Sequence, residues 1–130
     1  MTFPKEVKGQ RVKRIFANEA AFCALLGNGE VKAWGSPIYG GSLENNFVGA
    51  KVLDVFSTKY AFCALLESGE VKAWGHKDYG GEIAAKLNRV LDIRATEYYF
   101  SALLIDGDIK EWGGTNFHDT MMKKYKKYKN

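Results

Sequence analysis

The sequence predicts an all-β protein built from three antiparallel, hairpin-bearing units of three strands each, with a short basic tail behind them. The first observation is self-similarity, the mark of a repeat protein. Residues 21–35 read AFCALLGNGEVKAWG and residues 61–75 read AFCALLESGEVKAWG, identical at 13 of 15 positions. Residues 99–113, YFSALLIDGDIKEWG, keep the same frame. The second observation is regular spacing: Trp34 to Trp74 spans 40 residues and Trp74 to Trp112 spans 38. The third is that Val12-Lys13-Arg14-Ile15, Val52-Leu53-Asp54-Val55 and Val90-Leu91-Asp92-Ile93 recur upstream at the same intervals. The units are therefore about 12–51, 52–89 and 90–120, within a single β-repeat domain of residues 1–120, followed by a Lys/Tyr-rich tail at 121–130.

Within each unit the first strand is the stretch around Val52–Phe56. The second, Ala61–Leu66, is apolar on both faces and reads as a strand covered on both sides. The third alternates, with Val71 and Ala73 facing one way and Glu70, Lys72 and Trp74 the other. Between the second and third strands stand Asn28-Gly29, Ser68-Gly69 and Asp106-Gly107, which predict two-residue hairpin turns with Gly29, Gly69 and Gly107 supplying positive φ. After the tryptophans come Tyr39-Gly40-Gly41 and Tyr79-Gly80-Gly81, where paired glycines predict a sharp reversal or a close backbone approach. The third unit keeps the aromatic as Phe117 but replaces the glycines with His118-Asp119, as a capping repeat does. Residues 43–48 and 82–88 connect the units, and the second connector has room for one or two helical turns. The tail reads as disordered in preference to a short helix.

Composition bounds the rest. Of 130 residues, 46% are hydrophobic and 14% aromatic, enough for a packed core. No secretory signal and no membrane-spanning apolar run is read, so the expected location is cytoplasmic. The net charge of +4 hides an uneven distribution. Of the nineteen basic residues ten lie in 1–14 and 121–130, leaving nine against fourteen acidic ones between, a body of −5. Cys23, Cys63 and Ser101 share one repeat position, which suits a small side chain on a buried strand. A disulfide or a reactive or metal-binding thiol are the alternatives, and the reduced form is expected.

Residue chemistry argues against an enzyme. No H-E-x-x-H, C-x-x-C, G-x-S-x-G or phosphate-cradling glycine loop occurs. A Cys63–His76 nucleophile pair is conceivable, but the equivalent of His76 in the first unit is Ser36, so no catalytic, cofactor-binding or metal-binding residue is assigned. The recurring tryptophans are read first as ridges packed between units. If exposed, Trp34, Trp74, Tyr39 and Tyr79 would be interface anchors. His76 and Asp78 join them as candidate partner-binding residues, because the loops after Trp34 and Trp74 differ while the strands scarcely do.

The pattern A-L-x-x-x-G-x-V-x-A-W-G at Ala24–Gly35 and Ala64–Gly75 resembles the repeat of the regulator of chromosome condensation family. With the following Y-G-G it is similar to tandem repeats in bacterial proteins. The resemblance implies propeller-blade-like units. Three units are too few for a closed propeller, which needs at least about four blades. The chain must then form a compact three-unit fold, pair with a second chain, or stack as an open array. The expected function is a non-enzymatic protein-binding module, with an immunity protein neutralising a basic bacterial toxin as the specific form. The alternatives are a structural homo-oligomer closing a propeller-like ring, and nucleic-acid binding through the tail, which the acidic body opposes.

Overall fold

The computed structural model describes residues 11–43, 49–83 and 86–114. Among the described residues there are nine strands: β1 Val12–Ala17, β2 Ala21–Leu26, β3 Val31–Gly35, β4 Val52–Ser57, β5 Ala61–Leu66, β6 Val71–Gly75, β7 Val90–Ala95, β8 Tyr99–Leu104 and β9 Ile109–Gly113. They form three separate antiparallel sheets in chain order, β1-β2-β3, β4-β5-β6 and β7-β8-β9. The chain is mainly β, as the repeat predicts. Residues 82–83 and 86–89 carry no helix, and the tail, Phe117 and His118 lie outside the described residues.

The two larger cores lie between sheets, while a small third cluster, Ala24 and Leu26 with Val12 and Trp34, lies on the first sheet alone. Alternation sends Ala21, Cys23 and Leu25 of β2, with Val31, to one face of the first sheet, where they meet Val52, Phe62, Leu66 and Trp74 of the second. The same layer recurs one unit on, where Ala61, Cys63, Leu65 and Val71 meet Val90, Ile93, Phe100 and Trp112. Each sheet thus offers its odd-numbered face to the following unit and its even-numbered face to the preceding one. This explains why β5 is buried at all six positions, whereas β8 is covered on one face only. The expectation of a doubly covered second strand therefore fails in the third unit, where no fourth sheet follows among the described residues. Leu103 is 41% exposed where Leu25 is 1% and Leu65 is 8%.

Each first strand carries a bulge at its second residue, between Val12 and Arg14, Val52 and Asp54, and Val90 and Asp92. Val52 and Val55 would fall on opposite faces of a regular strand. One inserted residue restores both to the same core, and turns Leu53 out to solvent.

The hairpins stand where the sequence puts them, but their loops have three residues, not two. Gly29 N donates to Leu26 O at 3.0 Å and Leu26 N to Glu30 O at 2.9 Å, leaving 27–29 as the loop. This is a turn followed by a left-handed glycine, and Gly29, Gly69 and Gly107 all sit at φ 88°. The residue before the glycine closes the loop from its side chain: Asn28 Oδ1 accepts from Glu30 N at 3.0 Å, and Asp106 Oδ1 from Asp108 N at 2.9 Å. That local bond competes with the tighter two-residue closure.

Candidate functional site: a tyrosine edge across three units

After each of the first two tryptophans the chain makes a single 3-10 turn, Pro37–Tyr39 and Lys77–Tyr79. Such three-residue turns leave no periodic signal in a sequence. The glycine after each tyrosine is left-handed, Gly40 at φ 106° and Gly80 at φ 99°, and lies against the next unit. A Cβ on Gly40 would come within 2.6 Å of the Phe62 ring, and one on Gly80 within 2.5 Å of Phe100. The indole Nε1–H of Trp74 donates to Gly40 O, and that of Trp112 to Gly80 O, both at 3.0 Å. Tyr-Gly-Gly is therefore the joint between units: the tyrosine faces outward and the first glycine seats the next unit's Phe and Trp.

The strand-one to strand-two turns hold that joint in place. Asn18 Nδ2 donates to Tyr39 O at 2.8 Å, and Thr58 Oγ1 donates to Tyr79 O at 2.7 Å. Those turns also bond to one another, Glu19 N to Lys59 O at 3.1 Å and Lys59 N to Glu97 O at 2.8 Å. One end of the three units is thereby tied into a common edge.

Along that edge runs a ladder of half-buried tyrosines. Tyr39 lies 4.5 Å from Tyr60, Tyr60 meets Tyr79 edge-on at 4.9 Å, and Tyr79 lies 6.2 Å from Tyr98, between ring centroids. His76 stacks on Tyr39 at 5.9 Å and stands edge-on to Tyr79 at 5.3 Å. Its Nδ1 accepts from the Asp78 amide at 3.1 Å, which fixes the tautomer with the proton on Nε2. Lys59 Nζ sits 5.7 Å above the Tyr60 ring.

Of the residues singled out from the sequence, Tyr39, His76, Asp78 and Tyr79 come together here. Trp74 does not; it is 5% exposed and serves the joint between units, the packing role that the sequence read first. Trp34 is half-buried and stacks on Phe22 at 5.5 Å, away from the ladder. The sequence reading missed Tyr60 and Tyr98. They share one repeat position, but Ala20 occupies it in the first unit and breaks the pattern. Beside the edge, an open groove of about 920 Å³ lies between the Pro37–Ile38 turn and β6, with Lys72, Lys77 and Lys86 along it.

The cysteines and the histidine are not brought together as a catalytic pair. Cys23 and Cys63 are free thiols at 0% exposure in the two inter-unit cores. Burial pushes both thiols far above the usual range, so neither is a thiolate near neutral pH. Among the described residues no three His, Cys, Asp or Glu side chains cluster as a metal site, and no helix is long and apolar enough to cross a membrane.

The fold recurs in solved structures. Prp20p of Saccharomyces cerevisiae, a protein with binding properties toward Gsp1p and histones, superposes with a TM-score of 0.66 at 24% identity over 85% of this chain. The fold is that of propeller blades. In a second structure the same yeast protein, RCC1 (Prp20), is bound to Kap60, and it superposes at 0.64 with 23% identity over 85% of the chain. The ectodomain of the Physcomitrella patens receptor kinase CR4 superposes at 0.62 with 22% identity over 83%, and human WBSCR16 at 0.61 with 16% over 80%. The chain spans 31–33% of the length of these four structures, so it matches a run of blades and not a ring. No family model matches the sequence, and neither does any curated protein.

Proposed function

We propose that the chain is a non-enzymatic protein-binding module whose partner docks on the tyrosine edge. The observation that carries this is the convergence of Tyr39, Tyr60, Tyr79 and Tyr98 with His76 into one continuous aromatic strip, built from the turns after the tryptophans and the turns between first and second strands. Tyrosine gives large, rigid contact area at low entropic cost and keeps a polar rim, which is why it anchors protein interfaces. Strip residues that served only their own cores would be fully buried; these are half-exposed. The protein partners of the yeast structure accord with this reading but lie on a molecule about three times as long.

In its specific form the partner is a basic bacterial toxin, and the chain is its cytoplasmic immunity protein. The −5 balance of residues 15–120 supports this through electrostatic steering. The test is capture from the source cell with the full chain as bait, alongside Tyr60→Ala and Tyr79→Ala baits. A protein retained by the wild type and lost by both variants supports the edge; equal retention refutes it. Growth arrest on expressing the captured protein, relieved by the wild-type chain alone, supports the toxin reading. A captured protein without toxicity sinks that reading and leaves the module standing.

A further inference from the structure

The second sheet ends on β6, and the free side of that strand is an open backbone edge. Leu66 N donates to Glu70 O at 2.9 Å and His76 N to Tyr60 O at 3.0 Å, one bond at each end of the β5–β6 ladder. Between them Ala64 stands opposite Lys72 and Phe62 opposite Trp74. Peptide groups alternate along a strand, so residues 70, 72, 74 and 76 turn theirs toward β5. Val71 and Ala73 turn theirs away, and among the described residues no hydrogen bond reaches the amide or carbonyl of either on that side.

This edge runs through the groove beside the tyrosines. All five residues of β6 line it, with Pro37, Ile38 and Ser42 from the connector after Trp34 and Glu82, Ile83 and Lys86 from the connector after Trp74. Leu43 of the first connector packs on the core between sheets one and two, and Ile83 of the second on the core between sheets two and three. The connectors therefore flank β6 from opposite faces and leave its edge between them. A propeller blade has about four strands; this sheet has three among the described residues. The groove lies where a fourth would run.

Charge says what kind of strand fits. Lys72, Lys77 and Lys86 line the groove against one acidic residue, Glu82. Lys86 pairs with Glu70 at 3.5 Å, whereas Lys72 and Lys77 enter no ion pair among the described residues. Ile38, 66% exposed, adds an apolar contact at the rim. Lysine on an edge strand repels uncharged or basic edges and so guards against indiscriminate pairing. It leaves an acidic strand as the matching one.

We infer that an extended acidic segment of a partner protein adds to β6 as a fourth strand. Its main chain bonds Val71 and Ala73, its carboxylates meet Lys72 and Lys77, and an apolar side chain lies against Ile38. None of Tyr39, Tyr60, Tyr79 and Tyr98 lines the groove, so it is a second surface, separate from the tyrosine edge.

Fluorescence anisotropy of the full chain with a labelled peptide, Asp-Val-Glu-Val-Glu-Val-Asp, tests this. Saturable binding is expected. Two further peptides carry N-methyl groups on the valines or on the acidic residues. One should bind at least about tenfold more weakly and the other nearly as well, because only alternate amides of a strand face its neighbour. Lys72→Glu with Lys77→Glu should weaken binding by about tenfold or more. Ala73→Pro removes an edge amide but no β5–β6 bond, and should abolish binding while the circular dichroism spectrum stays native. Tyr60→Ala should leave the peptide's affinity unchanged, which separates this groove from the tyrosine edge. Absence of saturable binding overturns the inference, as does binding that neither N-methylated form weakens or that survives the lysine reversals. An oligothymidylate that binds more tightly and displaces the peptide overturns it in favour of nucleic acid.

Discussion

Replacing Gly40 by alanine separates the two reasons for a glycine at the joint. Its φ of 106° lies where an L side chain is strained, a cost of about 1–2 kcal/mol. The new Cβ would also stand 2.6 Å from Cδ2 and 2.9 Å from Cε2 of Phe62, a ring with 0% exposure and no room to swing away. Overpacking of that kind adds about 1–3 kcal/mol. The expected total is about 2–5 kcal/mol, read by urea unfolding with tryptophan fluorescence. Gly49 provides the control, because its φ is 75° and nothing lies within 4 Å of its Cβ position, so Gly49→Ala bears the backbone strain alone. Trimming the ring with Phe62→Ala in the Gly40→Ala background should recover part of the cost, giving a coupling energy of about 1–3 kcal/mol. If Gly40→Ala were no more damaging than Gly49→Ala, the contact between joint and following unit would not be as described.

Trp112→Phe keeps the ring but removes the donor to Gly80 O, and should cost about 1–3 kcal/mol through a buried, unsatisfied carbonyl, measured by the same unfolding assay. Neither thiol should react with a thiol-specific reagent in the native protein, and both should react at once in denaturant. Because both folded-state values are raised above the ordinary 9.0, the thiols ionise only in the unfolded chain as pH rises past that value. Stability is then level below pH 9 and falls above it, and a Cys23→Ala/Cys63→Ala pair should flatten that fall. The Arg14–Asp54 ion pair, 3.1 Å long but with side chains 57% and 34% exposed, should contribute no more than about 0.5 kcal/mol in a double-mutant cycle.

The strands were legible because a strand writes its periodicity into neighbouring residues. Ala61–Leu66 reads as covered on both faces, and it is. The bulges at Lys13, Leu53 and Leu91 were not legible, since an inserted residue only shifts a pattern that is already short. The three-residue hairpins were misread because Asn-Gly also suits the tighter turn, and only the side-chain bond to Glu30 tips the balance. At the candidate site the sequence led to Tyr39, His76 and Tyr79 through their divergent loops. It gave no hint that Tyr60, reached through a different turn, completes the strip. That juxtaposition depends on one unit's twist against the next, which no local pattern records. The bonds from Trp74 and Trp112 to glycine carbonyls 34 and 32 residues earlier belong to the same class.

Because the two larger cores are each shared between two sheets, one short motif must act as both lock and key for copies of itself. A change at Cys23 or Leu25 is felt first at Phe62 and Trp74, on a different copy. Strand residues of neighbouring copies therefore cannot drift independently, and the 13 identities in 15 positions between the first two are the trace of that mutual restraint. The loops escape it, as does the trailing face of the third unit, where Tyr99, Ser101 and Glu111 have departed furthest. New surface chemistry arises in such an array where no neighbouring core reads the sequence, as at His76, which stands where the first unit has Ser36.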